Sequence, residues 1–149
     1  MARIVESTLA GKWGLVATLL DEHWRELAKN KRLMVLKPDV ARYQTLEDQG
    51  HLITLFAYDG DAVVGYSASF ISNHMHYTDL RIVMNDVLFV AKSHRTGRTG
   101  MQLIRETERI AKERGAHMMM WHAKQHTDLE KILPRLGYGV QEIMLSKEL

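Results

Sequence analysis

The stretch Val87-Leu-Phe-Val-Ala-Lys-Ser-His-Arg-Thr-Gly-Arg-Thr-Gly100 decides the fold, because it joins a buried strand directly to a helix. Its first five residues are all apolar, which favours a strand in the centre of a sheet. Residues 98–114 carry apolar side chains at helical spacing and are followed by Gly115, so they predict a helix. Between the two elements stand glycines, threonines and basic residues.

Such a turn is typical of an anion site. A helix N-terminus has unpaired N–H groups and the positive end of the helix dipole, and small residues let a phosphate approach those groups. Residues 92–114 contain seven basic and three acidic side chains, a local charge of +4 that leaves −2 for the rest of the chain. The chain has no GxxxxGK[ST] motif and no GxGxxG motif near a first strand, which excludes a P-loop and a dinucleotide fold.

The remaining elements are predicted from hydrophobic periodicity and turn residues. A tight turn at Asp59-Gly60 joins two strands into a hairpin. The predicted order is strand 3–9, helix 14–29, helix 38–49, strands 51–58, 62–71 and 80–91, helix 98–114, strand 117–122, a short helix from Thr127 that Pro134 ends, and strand 138–146.

Length and composition limit the classes of protein. A chain of 149 residues with 46% hydrophobic and 26% charged residues predicts a single domain over 1–149. The absence of cysteine excludes thiol catalysis, thiolate zinc sites and disulfides. The net charge of +2 argues against a histone-like nucleic-acid binder. No apolar run approaches the ~20 residues of a membrane span, so we expect a cytoplasmic protein without a membrane partner.

Four motifs together resemble one enzyme family, the GNAT N-acetyltransferases. The turn Arg95-Thr-Gly-Arg-Thr-Gly100 resembles that family's acetyl-coenzyme A loop, [Q/R]xxGxG/A, and Val90 to His94 resembles its lead-in. Asp59-Gly60 followed by Val63-Val-Gly-Tyr66 is similar to its "D-G-x-x-V-G-[YF]" hairpin, and Arg135-Leu-Gly-Tyr138 to its "K-L-G-[FY]" turn. These landmarks occur in the family's order over residues 51–146.

The resemblance implies a fold and an activity. The fold is α/β (α+β), with a mixed, mostly antiparallel sheet of six to seven strands that splays between the fourth and fifth strands, flanked by about four helices. The activity is transfer of the acetyl group of acetyl-coenzyme A (acetyl-CoA) to a primary amine of a small molecule or protein by direct attack. The implied cofactor contacts are Leu88, Phe89, Val90, Arg95, Thr96, Gly97, Arg98, Thr99 and Gly100.

Two positions depart from the family pattern. Arg98 stands where the loop usually has glycine, and Gly97 falls one place earlier. Leu133 stands where the family usually has its catalytic tyrosine, so a tyrosine general acid is absent at that position. These departures keep open an alternative, a non-catalytic module on the same fold that binds coenzyme A or a partner.

Two residues are candidate catalytic bases, because an ammonium of pKa near ~10.4 must lose its proton before it attacks a thioester. Asp86 lies among apolar neighbours on the strand before the loop, a setting that suits a base. His76 lies in the preceding loop, and histidine titrates near neutral pH. The alternative, non-catalytic interpretations are that Asp86 is a solvated aspartate and that His76 belongs to a polar surface loop.

The acceptor contacts are predicted on elements that vary with substrate in this fold. His23 and Glu26 lie on the first helix, and His74 and Tyr77 in the loop before the central strand. His74 and His76, with His122 and His126, have spacings that occur in metal sites, but no cysteine assists and the family needs no metal, so we expect none. A nucleic-acid partner is not expected, whereas a homodimer could form through a sheet edge or the final strand.

Overall fold

A five-stranded sheet forms the centre of the computed structural model, which describes residues 1–149. The strands lie in chain order across the sheet; the first four are antiparallel, and the fifth runs parallel to the fourth. They are β1 (Arg3–Glu6), β2 (Leu52–Asp59), β3 (Ala62–Asn73), β4 (Arg81–Val90) and β5 (Met118–Met120).

Four α-helices flank the sheet: α1 (Trp13–Leu27), α2 (Val40–Asp48), α3 (Thr99–Glu113) and α4 (Asp128–Ile132). Single 3₁₀ turns cover Lys92–His94 and Leu133–Leu136. The predicted start of α2 is confirmed, because the Asp39 carboxylate caps it by accepting from the Arg42 N–H at 3.0 Å. None of the helices is both long and apolar enough to cross a bilayer.

The helices bury the two faces of the sheet in separate cores. On one face α3 contributes Leu103, Ile110 and Ala111 to a cluster with the inward residues of β2, β3 and β4. On the other face α1 and α2 cover Phe56, Tyr66 and other side chains of the same strands. Because side chains alternate along a strand, each strand of the centre supplies both cores.

The β2–β3 hairpin forms as predicted, with its turn shifted by one residue. Asp59 pairs with Ala62, so Gly60 and Asp61 are the two turn residues. Gly60 has φ +58°, the left-handed conformation that a primed hairpin turn requires at its first position. Further along, Gly65 lets β4 approach closely, because a Cβ there would lie 3.0 Å from the Phe89 carbonyl oxygen.

A β-bulge interrupts β4 at Asp86. Ala68 pairs with Val87 and Ser69 with Asn85, so Asp86 is the extra residue of the bulge. The Asn85 side chain is buried beneath it and donates from Nδ2 to the Ala68 and Val87 carbonyls, each at 3.1 Å. The bulge changes the alternation, so that Asp86 contacts α2 and Val87 also packs on the α1–α2 face.

The sheet splits between β4 and β5. β5 pairs only with Ile82–Met84, so the second half of β4 has no partner on that side. The Ala91 N–H donates to the Val64 carbonyl at 2.8 Å, beside the Gly65–Val90 pair. Because hydrogen-bonded pairs alternate in an antiparallel ladder, the backbone groups of Leu88 and Val90 point away from β3 into the gap.

The prediction of six to seven strands is wrong in number. The expected strand 138–146 does not form, and the strand expected over 117–122 is limited to Met118–Met120. Tyr138 is held by its N–H bond to the Leu133 carbonyl, but Val140, Ile143 and Leu145 are each at least 80% exposed. A strand needs a ladder partner, and the short β5 gives this segment none.

Two glycine substitutions should have opposite effects on stability. Gly65→Ala should lower the free energy of unfolding by about 1–3 kcal/mol, because its Cβ meets the Phe89 oxygen and the Val90 side chain. Gly14→Ala should raise it by about 0.5–1 kcal/mol, since that helical site in α1 has open space around it. Urea unfolding of both variants measures this, and an unchanged Gly65→Ala midpoint would contradict the close approach.

Candidate active site

The turn between β4 and α3 leaves backbone donors free. Arg98 is the N-cap of α3 and gives no side-chain cap, and the first helical bond joins the Gln102 N–H to the Arg98 carbonyl at 2.8 Å. The N–H groups of Thr99, Gly100 and Met101 therefore have no partner within the helix. This is the arrangement that binds phosphate oxygens at helix N-termini.

The two glycines of the turn are not required by the fold itself. A Cβ at Gly97 would meet nothing within 4 Å, and one at Gly100 would meet only the Val90 side chain at 3.9 Å. Neither glycine has a positive φ. Neither sterics nor backbone conformation demands glycine at these two positions, and the space beside the free amides is open.

Arg95 is a structural link rather than a free cation. Its guanidinium makes two bonds to the Glu26 carboxylate, at 2.6 and 2.8 Å, and its Nε donates to the Val90 carbonyl at 2.7 Å. It also lies 5.0 Å from the centre of the Phe89 ring. The bond from Arg95 lowers the pKa of Glu26, so the pair stays ionised. Two predicted site residues, one for cofactor and one for acceptor, thus bind each other.

The other side chains of the turn differ in exposure. Arg98 and Thr96 are exposed, and Arg98 forms no ion pair. Thr99 is buried at 6% exposure, so only its backbone faces the turn. The departure at Arg98 therefore leaves the turn open and adds a free positive charge to it.

The basic residues of α3 are largely neutralised on the helix surface. Arg109 pairs with Glu106 and Glu113, and Arg105 lies 3.7 Å from Glu108. Arg114 pairs with Glu6 of β1. The charge excess counted in the sequence is consequently concentrated at the turn and not spread along the helix.

His23 of α1 reaches the same strand. Its ring stacks on Phe89 with 4.7 Å between centroids, and its Nδ1 lies 2.6 Å from the Tyr66 hydroxyl. Burial, followed by the positive charge of Lys124, lowers the pKa of His23 to about 4. The imidazole is therefore neutral at physiological pH, and it is held between the Phe89 ring and the Tyr66 hydroxyl.

Asp86 lies in a cleft between α2 and the sheet. The cleft has a volume of about 540 Å³, and its lining includes Asp39, Arg42, Tyr43, His51, Phe70 and Asp86. The Tyr43 hydroxyl donates to Asp86 Oδ2, while burial, and then the bond to Asp86, raises the pKa of Tyr43. A half-buried carboxylate with one oxygen held and one available thus faces a space large enough for a small amine.

The loop with His74, His76 and Tyr77 lies at the far end of β4. The cleft reaches Ser72, but no residue of this loop lines it. Asp86 is five residues from the start of β4, about 17 Å along an extended strand, so the structure does not bring His76 to Asp86. His74 and His76 do not join His122 or His126, and no group of three or more such side chains is placed to hold a metal.

Sequence reasoning missed the two tyrosines, Tyr43 and Tyr66, that bond Asp86 and His23. Tyr43 lies on α2 and is distant in sequence from both candidates, so no motif marked it. Tyr66 is marked in the sequence only as the aromatic residue of the hairpin motif. The position of the absent tyrosine, Leu133, is buried at 7% exposure and has apolar character only.

A split sheet beside an open, glycine-containing turn is the framework of an acetyltransferase, and comparison with known proteins agrees. The sequence profile of the "Acetyltransferase (GNAT) family" matches residues 16–138. The chain therefore belongs to the GNAT acetyltransferase family, a class of acetyl-CoA-dependent N-acetyltransferases. A search of curated protein sequences gives no match.

Solved structures share the fold at low sequence identity. An aminoglycoside acetyltransferase from an uncultured soil metagenomic sample has a TM-score of 0.76 at 20% identity, covering 100% of this chain and 97% of the other. A ribosomal-protein-alanine N-acetyltransferase from Brucella melitensis biovar Abortus 2308 has a TM-score of 0.76 at 18% identity, covering 100% and 99%. A predicted acetyltransferase with acetyl-CoA from Clostridium acetobutylicum has a TM-score of 0.74 at 10% identity, covering 99% and 96%.

The stability of the folded protein should decrease as the pH decreases, because His23 is protonated more readily in the unfolded state. The unfolded histidine binds a proton near pH 6.5 and the folded one only near pH 4, so stability is lost as pH falls between these values. The loss should reach about 3 kcal/mol in the wild type, from ~1.4 kcal/mol per pKa unit. Unfolding curves measured from pH 7 to pH 4 should show it.

The matched variant is His23→Gln, which keeps a polar group near Tyr66 but does not titrate. Its stability should be lower at pH 7 and should change much less between pH 6.5 and pH 4. Equal pH dependence in both proteins would show that His23 is not the buried neutral group described above.

Proposed function

We propose that this protein transfers the acetyl group of acetyl-CoA to a primary amine, with Asp86 as the catalytic base. The observation that carries the proposal is the β4 bulge. It directs the Asp86 carboxylate into the cleft, while Leu88 and Val90 of the same strand direct backbone groups into the gap beside the open turn. Base and backbone donors thus lie within a few residues of each other.

The chain's own residues can hold the cofactor along two segments. The free amides at Thr99 and Gly100, with the cation of Arg98, would bind the diphosphate, and the β4 edge at Leu88 and Val90 would pair with the pantetheine arm. Bound there, acetyl-CoA supplies an acetyl group activated as a thioester. Arg95 contributes indirectly, because its bonds to Glu26 and Val90 fix the end of the strand.

Asp86 prepares the amine. The Tyr43 hydroxyl occupies Oδ2, so Oδ1 is available to accept a proton from an ammonium in the cleft, directly or through one water. The raised pKa of Tyr43 keeps that hydroxyl protonated, so it remains a donor throughout. The carboxylate is therefore held in one orientation while it accepts the proton.

Backbone N–H groups stabilise the developing charge. In acyl transfer the carbonyl oxygen becomes negative, and fixed donors in a site away from water stabilise it strongly. The Leu88 and Val90 amides point into the gap and are fixed by the β3 pairing on the other side of the strand. Since Leu133 carries no proton to donate, we assign no side chain as general acid for the leaving thiol.

The acceptor in this proposal is an amine. The cleft of about 540 Å³ favours either a small molecule or the terminus of a protein chain. The structural neighbours named above include an aminoglycoside acetyltransferase and a ribosomal-protein-alanine N-acetyltransferase, so the fold accommodates both kinds. We keep His74 and Tyr77, beyond the Ser72 end of the cleft, as contacts for larger acceptors. The alternative of a non-catalytic module predicts cofactor binding without thiol release.

Replacing Gly100 should separate cofactor binding from stability. Gly100→Ala should raise the melting temperature, because alanine in a helix is favoured over glycine by up to about 1 kcal/mol and meets no clash. The same methyl group fills the space beside the free amides, so the affinity for acetyl-CoA should fall by tenfold or more. Calorimetric titration measures the affinity; unchanged binding would contradict the placement of the diphosphate.

Replacing Asp86 should remove turnover but not cofactor binding. Asp86→Asn should lower kcat by about 10²–10⁴-fold, the range for loss of a general base, with the acetyl-CoA affinity within about threefold of wild type. Thiol release with an amine panel and calorimetric titration give the two values.

The matched control is Asp39→Asn, because Asp39 lines the same cleft and asparagine also caps helices well. It should reduce kcat by less than about tenfold. A comparable loss in both variants would show that the cleft's acidity matters and not a base at Asp86.

A further inference from the structure

A second cavity lies beneath α1 and α2, against the floor of the sheet. Its volume is about 60 Å³, room for a few water molecules or a short carbon chain. Trp13 and Pro38 contribute to its walls, and Ala68 and Val87 to its floor. It is partly open, and nine of its twelve lining residues are hydrophobic.

The cavity contains one polar group without a partner. Four hydroxyl-bearing residues line it, and the hydroxyls of three are engaged elsewhere: Tyr43 donates to Asp86, Tyr66 bonds His23, and Ser67 accepts from Asn85 at 3.3 Å. The fourth, Thr54, is only 3% exposed and its Oγ1 has no hydrogen-bond partner. A buried hydroxyl without a partner costs free energy, so a ligand atom that bonds to it would be stabilised there.

The cavity lies beside the catalytic base. Val87, which lines it, follows Asp86 directly, and the bulge places both side chains on the same face. Thr54, Ala68 and Val87 are register partners across three strands, so Thr54 and Val87 are about 10 Å apart. A molecule with its amine at Asp86 could therefore extend a short chain toward the Thr54 hydroxyl.

We propose that this cavity is the acceptor subsite and that the acceptor is a primary amine on a short, uncharged chain with a hydrogen-bonding atom at its far end. The proposal rests on the function assigned above, with Asp86 as the base. The apolar walls exclude a second charge, since an unpaired ion in such surroundings is strongly disfavoured. The Thr54 hydroxyl then selects for the polar tip.

The test compares two amines of equal length, 3-aminopropan-1-ol and butan-1-amine, as acceptors with acetyl-CoA. In the wild type the amino alcohol should have a KM about tenfold below that of the alkyl amine, the effect of one buried hydrogen bond. In Thr54→Val, which keeps the shape of the side chain, this difference should disappear, while the KM for acetyl-CoA stays within about twofold. Ala68→Val, which fills the cavity, should raise the KM of both amines.

The matched control is Thr107→Val, the same change at a buried threonine of α3 whose hydroxyl donates to the Leu103 carbonyl at 2.8 Å. It should lower the melting temperature and leave the preference between the amines unchanged. Thr54→Val should keep or raise the melting temperature, because it removes a hydroxyl without a partner.

The outcomes distinguish failure of the acceptor subsite from failure of the proposed function. If some other amine is acetylated but the two probes are not, or if Thr54→Val leaves their KM ratio unchanged, the subsite is overturned and the proposed function stands. If acetyl-CoA binds and no amine releases thiol, the proposed function fails and the subsite with it. If Ala68→Val does not fold, the Thr54→Val ratio decides alone.

Discussion

The bulge in β4 is the constraint on which the site depends. A strand with unbroken alternation would place Asp86 and Val87 on opposite faces, so one of them would lie under α3. The extra residue brings both to the α1–α2 face, where the carboxylate meets Tyr43 and the valine meets the apolar cavity. An unpaired residue in a central strand needs compensation, and the buried Asn85 amide supplies it through bonds to the carbonyls on either side.

The first helix, α1, has a structural role that its amphipathic pattern does not reveal: it contacts both sides of the gap in the sheet. Three of its residues near the C-terminal end connect it to different walls of the gap: His23 to Phe89, Glu26 to Arg95, and the Leu27 carbonyl to Lys124. The gap in the sheet lacks strand pairing, which would otherwise fix its width. These contacts replace that pairing, so α1 holds the two arms of the sheet at a defined separation while the β4 edge stays free.

Much of the fold follows from local sequence patterns, because those patterns have local physical causes. The Asp39 cap, the glycine of the hairpin turn and the apolar stripe of α3 each act within a few residues, and the predicted elements form there. The prediction of a strand at 138–146 is wrong because a strand depends on residues that are distant in the chain. Its residues have strand character, but a strand also requires a partner, and the length of β5 is decided by tertiary structure.

The features of the candidate site likewise divide into those that local sequence predicts and those that depend on distant residues. The open turn was predictable, since glycines next to a helix start describe it by themselves. The partners of Arg95 and Asp86 were not, because Glu26 and Tyr43 lie 69 and 43 residues away in the chain. Arg95 shows the consequence: its charge in the sequence suggests a phosphate ligand, whereas a bidentate carboxylate and a strand carbonyl use its donors.

The two departures from the family pattern, Arg98 and Leu133, have different physical consequences. Arg98 is exposed at the mouth of the turn, so its side chain adds charge without occupying the space that a glycine would leave. Leu133 provides no proton donor, and its side chain is itself buried, at 7% exposure. In the proposed reaction, the residue assigned to proton transfer therefore lies on the β4 side of the gap. There Tyr43 fixes Asp86, and the buried, neutral His23 adds no positive charge beside Phe89.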